Sequence, residues 1–274
     1  MTDPPDQAAK AARLLDLHVP GTPLLFPNPW DAGSARLLAA AGFEALATTS
    51  SGFAATLGRL DGHVTRDEAI AHAGAIVDAT DVPVSADLED CYAADPEGVA
   101  QTVELALRAG LAGCSIEDFG GDEIYDVAVA AERVAAAAEV AHAGPVHLVL
   151  TARAENHLHG RDDLADTIAR LQAYSRAGAD VLYAPGLRSI AEIRTVLDAI
   201  DRPLNVLALA DAPAVAELAA AGVARISTGG MLAFAALGVV VEAARELREQ
   251  GTYGYSKLAR AGSSAARAAF EDRS

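Results

Sequence analysis

Three carboxylates, Asp87, Glu89 and Asp90, fall within four positions directly after the apolar stretch 82–86. A strand that delivers acids at its carboxyl end is how an α/β protein holds a divalent cation, because ligands gather outside the carboxyl ends of parallel strands. Asp87 and Glu89 are two apart, so their side chains leave the same face while the chain stays extended. Hard oxygen donors in that arrangement suit Mg²⁺, or Mn²⁺, better than Zn²⁺. The competing reading is a polar loop whose acids only keep the surface solvated.

Other chemistry-bearing residues close further apolar stretches. Ser50, Ser51 and Gly52 follow one, Glu117 another and Arg153 a third, while Tyr183, Asn205 and the Gly229-Gly230 turn belong to three more. Together they offer three carboxylates, one guanidinium and a Ser/Gly loop rich in backbone N–H donors. A 2-oxo or 2-hydroxy carboxylate matches that set: it chelates Mg²⁺, the Ser/Gly loop receives its carboxylate, and Arg153 balances charge building on an enolate oxygen. Each residue also has a plainer reading. Glu117 is a helix-start acid, Arg153 pairs a buried acid, Ser50 and Ser51 are turn residues, and Asp61-Gly62 is turn chemistry. Asn205 is either a buried, satisfied amide or a ligand contact. His157 and His159 read as solvated loop residues, and Asp90 and Asp118 as supports of the metal shell.

Those positions need a scaffold that brings successive strand ends to one place. Apolar stretches at 24–27, 44–48, 82–87, 112–116, 146–152, 180–183, 204–207 and 224–227 alternate with helical segments and short turns. Thr65 and Glu68 form a capping box, and Asp95-Pro96 opens a helix. Alternating strands and helices predict parallel pairing, and eight units predict a (β/α)₈ TIM barrel rather than a doubly wound open sheet. The whole of 1–274 then reads as one barrel domain with a C-terminal helical tail. In a barrel, catalytic groups come from the carboxyl ends of different strands.

Composition limits the partners. With 21 Lys and Arg against 38 Asp and Glu, the formal charge is −17, which argues against nucleic acid, whose binding rests on cationic side chains. No apolar run is long enough to predict a membrane span. The first residues lack the charged and apolar regions of a signal peptide, and Cys91 and Cys114 imply no disulfide framework, so a cytoplasmic location is expected.

Read in order, the segments 28–35 (Asn-Pro-Trp-Asp-Ala-Gly-Ser-Ala), 49–54, 86–92, 115–118, 151–156, 178–186, 203–207 and 225–230 resemble the isocitrate lyase/phosphoenolpyruvate mutase superfamily from about residue 24 to 251. The resemblance implies a Mg²⁺-dependent barrel enzyme that makes or breaks C–C or P–C bonds beside a 2-oxo acid. It implies that Asp87, Glu89 and Glu117 hold the metal, that Arg153 meets the substrate, that Ser50, Ser51, Gly52 and Phe53 bind its carboxylate, and that Asp61 is an active-site aspartate. It also implies a homo-oligomer, dimer or tetramer, in which the helix at 231–250 is exchanged between subunits. The departures are as informative. After Glu117 the chain reads Asp118-Phe119-Gly120-Gly121-Asp122-Glu123, without the Cys-bearing loop of isocitrate and methylisocitrate lyases or the Lys and Asn of phosphonate enzymes, and Phe234 stands where many relatives have Arg. Three functions are compatible with this pattern: C–C cleavage of a small 2-oxo or 2-hydroxy (di)carboxylate, P–C bond chemistry, and a non-catalytic metal- or ligand-binding barrel. The first is preferred, since cleavage can create an enolate without a gating-loop base and only Arg153 is evident for a phosphoryl group.

Overall fold

A computed structural model describes residues 4–271; the two ends of the expected 1–274 domain, 1–3 and 272–274, lie outside the described residues. Eight parallel strands form a nearly closed (β/α)₈ barrel: β1 Leu24–Phe26, β2 Leu46–Ala47, β3 Val84–Asp87, β4 Gly113–Glu117, β5 Val149–Arg153, β6 Val181–Tyr183, β7 Leu204–Leu207 and β8 Arg225–Ser227. Seven of the eight neighbouring pairs are laddered, and at the remaining seam the Ala47 N–H donates to the Pro27 carbonyl at 3.1 Å. The strands are short and buried on both faces, which is why they read as continuous apolar runs rather than as alternating ones.

Helices α1 (Pro4–Asp16), α2 (Ala32–Ala40), α3 (Ser50–Thr56), α4 (Arg66–Ala79), α5 (Pro96–Arg108), α6 (Val127–His142), α7 (Leu164–Arg176), α8 (Ile190–Ala199), α9 (Val215–Ala221), α10 (Met231–Gln250) and α11 (Ser256–Glu271) complete the described chain. Local chemistry sets their starts. The expected capping box at α4 is present, with Thr65 Oγ1 accepting from the Glu68 N–H at 3.3 Å and Glu68 returning a carboxylate to the Thr65 N–H at 2.9 Å. Asp95 caps α5 and Pro96 occupies its first turn, where a missing N–H costs nothing. One helix was not expected. The 50–53 segment reads as a loop, yet Thr49 caps it and Ser50–Thr56 winds into α3.

The main core lies between sheet and helices, around Leu46, Ile76, Val103, Leu150 and Leu182. A second cluster joins Ala11 and Leu14 of α1 to Phe26, Val149 and Val181, so α1 closes the amino end of the barrel. Fully burying one such side chain stabilises by about 1.5–3 kcal/mol. In contrast, α10 buries only Ala233 and leaves Phe234, Leu237, Val240, Val241 and Leu247 exposed. Among the described residues no helix is long and apolar enough to cross a membrane.

Candidate active site

Parallel register places the expected residues side by side. Asp87 pairs with Ser115, and a continuous lateral row runs Glu117, Arg153, Tyr183, Asn205, Arg225 across β4 to β8. Barrel strands tilt by roughly 36°, so a row that starts at the carboxyl-end mouth with Glu117 descends into the barrel by Arg225. That is how the first residue of β8 comes to lie beneath the site.

Arg153 is the hub. Its Nη1 donates to Asp87 Oδ1 at 2.8 Å, its Nη2 lies 3.2 Å from Glu117 Oε2, and its Nε donates to Glu155 Oε1 at 2.8 Å. The planar, five-donor guanidinium lets one cation serve three carboxylates from separate nitrogens, a spread that the single nitrogen of a lysine does not offer. The pairing with buried acids expected for Arg153 is therefore present, and the same side chain lines both chambers of the site. Asp87 is fixed from three more directions: its Oδ2 accepts from the Ser50 N–H at 3.1 Å, Ser115 Oγ approaches Oδ1 at 3.5 Å, and its own N–H donates to Thr48 Oγ1 at 2.9 Å.

The chain does not stay extended to Glu89. The strand ends at Asp87, and Glu89, Cys91 and Tyr92 all take positive φ, at 49°, 62° and 53°. Left-handed backbone costs non-glycine residues on the order of 1–3 kcal/mol each. The turn is held by the Cys91 N–H on the Leu88 carbonyl at 2.7 Å and by Thr102 Oγ1 on the Cys91 carbonyl at 2.8 Å. It brings Glu89 under the Tyr92 hydroxyl, which donates to Oε1 at 3.2 Å. Burial, then the nearby Asp87 and Asp61, push the Glu89 carboxyl up to about 7. Burial also raises Glu117 well above the carboxylate range, with Arg153 opposing and Glu155, Asp87 and Glu89 adding to the shift. Three acids surround one guanidinium, with Glu89 close by.

The side chains frame two adjoining chambers. The inner one, about 200 Å³, is lined by Ser50, Ser51, Asp61, Asp87, Arg153, Tyr183, Asn205 and Arg225 among others. The outer one, about 650 Å³, is lined by Glu89, Glu117, Glu155, Tyr92, Phe119 and His159 among others, and it shares Ser50, Asp61 and Arg153 with the first. Asp61 lies in an exposed loop, but burial of its carboxyl and the neighbouring Asp87 raise its pKa, against a hydrogen bond from Ser50.

Several expectations change on contact with the geometry. Gly52 and Phe53 line neither chamber. Phe53 stacks on His72 with ring centroids 3.8 Å apart. Gly52 is a packing residue: a Cβ there would sit 2.5 Å from Thr49 Cγ2, 3.1 Å from Ala233 Cβ and 3.3 Å from Trp30 Cβ. The backbone donors expected for a carboxylate are committed internally, the Ser50 N–H to Asp87 and the Gly52 N–H to Thr49 Oγ1 at 3.3 Å, which leaves the Ser50 and Ser51 side chains facing the inner chamber. Asp118 and Asp90 are held in hydrogen-bond networks next to the site, and Asp90 also lines the outer chamber. Asp118 is buried, accepting from the Glu155 N–H at 2.8 Å, Arg170 Nη1 at 2.9 Å and the Tyr174 hydroxyl. Asp90 accepts from the Tyr92 N–H and the Tyr125 hydroxyl. His159 stacks on Phe119 at 3.6 Å, whereas His157 packs under Gly186 away from both chambers. Cys91 is wholly buried with its thiol pKa raised, so it packs rather than attacks.

Two residues carry roles the sequence did not suggest. Glu155 fixes the plane of Arg153; the signal was an Arg and a Glu two apart at a strand end. Arg225 is a second guanidinium, buried at the base of the inner chamber. Its Nε donates to Asn205 Oδ1 at 3.0 Å, its Nη2 to Thr151 Oγ1 at 3.1 Å and its Nη1 to His18 Nε2 at 3.1 Å. Because His18 Nδ1 is 2.7 Å from the Leu14 carbonyl, Nδ1 carries the proton and Nε2 accepts. Asn205 Nδ2 in turn donates to Ser227 Oγ at 2.9 Å, so Asn205 is a satisfied buried amide, and it lines the inner chamber. The Asn28 that opens the 28–35 segment clasps strand ends, donating to the Thr48 carbonyl at 2.8 Å and accepting the N–H groups of Thr228 and Gly229, each at 2.9 Å.

Comparison with known proteins agrees with this architecture. The sequence profile of the family described as Phosphoenolpyruvate phosphomutase matches residues 14–248. A crystal structure from Burkholderia cenocepacia J2315, provisionally assigned as a lyase/mutase, is 49% identical and superposes with a TM-score of 0.89 over 92% of each chain. An uncharacterized protein of Mycobacterium tuberculosis (strain H37Rv) is 34% identical over 85% of this chain and 88% of its own. The crystal structure of 2,3-dimethylmalate lyase is 29% identical, with a TM-score of 0.81 over 89% of each chain. The barrel, the ordered motifs and these matches establish that the chain belongs to the phosphoenolpyruvate phosphomutase family, within the isocitrate lyase/phosphoenolpyruvate mutase superfamily.

Proposed function

We propose that this protein is a Mg²⁺-dependent enzyme that cleaves a C–C bond of a small 2-oxo or 2-hydroxy (di)carboxylate through an enolate-like intermediate. The observation that carries the reading is the convergence of Asp87, Glu117 and Glu155 on Arg153, where the two chambers meet. The donor set fits a hard divalent cation: every donor is a carboxylate oxygen, and a bound cation would offset the crowding of acids that raises Glu89 and Glu117. Asp87, Glu89 and Glu117 are the residues that would hold Mg²⁺, with Mn²⁺ an acceptable substitute. When bound, the ion supplies Lewis acidity and a template for a chelating substrate.

The remaining chemistry belongs to the chain. The Ser50 and Ser51 hydroxyls and Asn205 receive the substrate carboxylate in the inner chamber. Arg153 faces the oxygen on which negative charge builds, a fixed cation that needs no reorganisation during the reaction. Asp61, whose carboxyl is raised above its ordinary range by burial and by Asp87, takes the hydroxyl proton as the C–C bond breaks; the carbinol carbon becomes a carbonyl and the electron pair leaves on the departing fragment as an enolate. Glu117 and Glu155 keep Arg153 oriented throughout.

Arg225 bears on the P–C alternative. A phosphoryl group needs further cationic donors, but three of the five N–H donors of Arg225 are already committed to Asn205, Thr151 and His18. That favours C–C cleavage. The exposed apolar side chains of α10 favour a homo-oligomer, dimer or tetramer, in which this helix packs against a second subunit. The test is a screen of purified protein with Mg²⁺ against oxaloacetate, alkylated malates and phosphonopyruvate, following pyruvate and phosphate together. Pyruvate from a malate derivative without phosphate is the expected result; phosphate from phosphonopyruvate would overturn the C–C assignment.

A further inference from the structure

At the opposite end of the barrel three side chains meet that take no part in the chemistry above. His142 ends α6, His147 precedes β5 and Asp180 precedes β6. Arg153 ends β5, six residues beyond His147, so the strand separates this cluster from the active site by roughly 20 Å. His142 Nε2 lies 3.0 Å from Asp180 Oδ2, and His147 Nε2 lies 3.0 Å from Oδ1. The two rings stack, with centroids 4.0 Å apart and planes 5° from parallel. One ligand atom from each residue falls within 4.8 Å of the other two.

We propose that His142, His147 and Asp180 form a transition-metal site, for Zn²⁺ or a similar ion such as Co²⁺ or Ni²⁺, that pins the end of α6 to the starts of β5 and β6. Two imidazoles and one carboxylate are the borderline donors these ions prefer, and they suit Mg²⁺ poorly. Bonds of about 2.0–2.1 Å to a tetrahedral or octahedral ion put adjacent ligand atoms about 2.9–3.4 Å apart. Each histidine Nε2 already lies one such edge, 3.0 Å, from a carboxylate oxygen, His142 from Oδ2 and His147 from Oδ1. The carboxylate is pre-set as well. Asp180 Oδ2 accepts the Leu150 N–H at 2.9 Å, which fixes its plane independently of the histidines. Burial opposes its ionisation, but bonds from His142, Leu150 and His147 outweigh burial and hold the carboxyl below its ordinary range. Asp180 is 11% exposed, His142 26% and His147 45%, so an ion can enter from solvent and complete its shell with water.

This inference is independent of the reaction at the other end, and the test keeps the two apart. Metal-stripped protein carrying Asp87→Ala, which disables the proposed Mg²⁺ site, is titrated with Co²⁺ while its visible absorption and bound stoichiometry are measured. One Co²⁺ per chain is expected, and His147→Ala added to that background weakens its binding at least tenfold. Zn²⁺ is expected to raise the melting temperature of the protein with His147 and not of the His147→Ala form. His147 is the most exposed of the three, so its loss leaves the fold in place; Asp180→Asn serves as a second variant. Equal Co²⁺ affinity with and without His147, or no stoichiometric binding at all, would reduce the cluster to a hydrogen-bond network and overturn the proposal.

Discussion

Replacing Arg153 by Gln tests whether one guanidinium organises the site. The substitution keeps a polar side chain but removes the charge and the three-way fork. At about 4 Å and an effective dielectric of about 20, each lost ion pair is worth on the order of 4 kcal/mol before compensation. The three partners are little exposed, at 18%, 13% and 3% for Asp87, Glu117 and Glu155, so solvent screens them weakly. Recovered desolvation of the arginine and proton uptake by the acids offset most of the gross sum. The net loss then approaches the roughly 3–5 kcal/mol that accompanies removal of one partner from a buried ionic cluster. The pH dependence follows. Burial already raises Glu117 and Glu155, with Arg153 as the opposing influence, so its removal raises both further. The folded variant then binds more protons than its unfolded chain, and its stability falls as pH rises. Urea denaturation at pH 5.5 and pH 8 is the assay. The deficit relative to wild type should be larger at pH 8 than at pH 5.5, and saturating Mg²⁺ should recover part of it. A deficit under about 1 kcal/mol, or one that does not change with pH, would refute the reasoning.

Two further perturbations probe the supports of the site. His18 is buried and neutral beneath Arg225; burial first, and that guanidinium second, push its pKa down from 6.5 to about 3. The unfolded chain therefore takes the proton first: the His18 contribution is complete above pH 6.5 and is lost as pH falls toward 3. Over the 1.5 units from 6.5 to pH 5 that loss is about 2 kcal/mol; His18→Gln should flatten this part of the stability–pH curve, and an unchanged slope would contradict the buried neutral histidine. Gly52→Ala should lower stability by about 1–3 kcal/mol through the clash with Thr49 and Ala233, measured by thermal melting; a neutral outcome would show that α3 and α10 separate freely.

The scaffold was legible in the sequence because barrel strands and amphipathic helices are local patterns, punctuated by caps such as Thr65 and Asp95. Strand limits were less so. Residues 146–148 are as apolar as a strand and His147 lies among them, but pairing with β4 starts only at Val149, and pairing is not a local property. The short helix α3 was hidden because Ser-Ser-Gly-Phe has turn composition, and only the Thr49 cap and the packing of Gly52 on Ala233 make it helical. Asp87, Glu117 and Arg153 could be found by counting strand ends. The position of Glu89 could not be reached that way, since it depends on three of four successive turn positions, Glu89, Cys91 and Tyr92, adopting left-handed φ. Arg225 sits at the start of its strand and enters the site only through the tilt of the barrel, which no reading confined to strand ends can find.

The measurement closest to the central claim is calorimetric titration of oxalate, a minimal mimic of a 2-oxo acid enolate, into wild type and Asp87→Ala with and without Mg²⁺, with circular dichroism confirming that the variant is folded. The cluster around Arg153 predicts tight binding to wild type only with Mg²⁺, and loss of that Mg²⁺-dependent binding in Asp87→Ala. Equal Mg²⁺-dependent binding by a folded Asp87→Ala protein would contradict it.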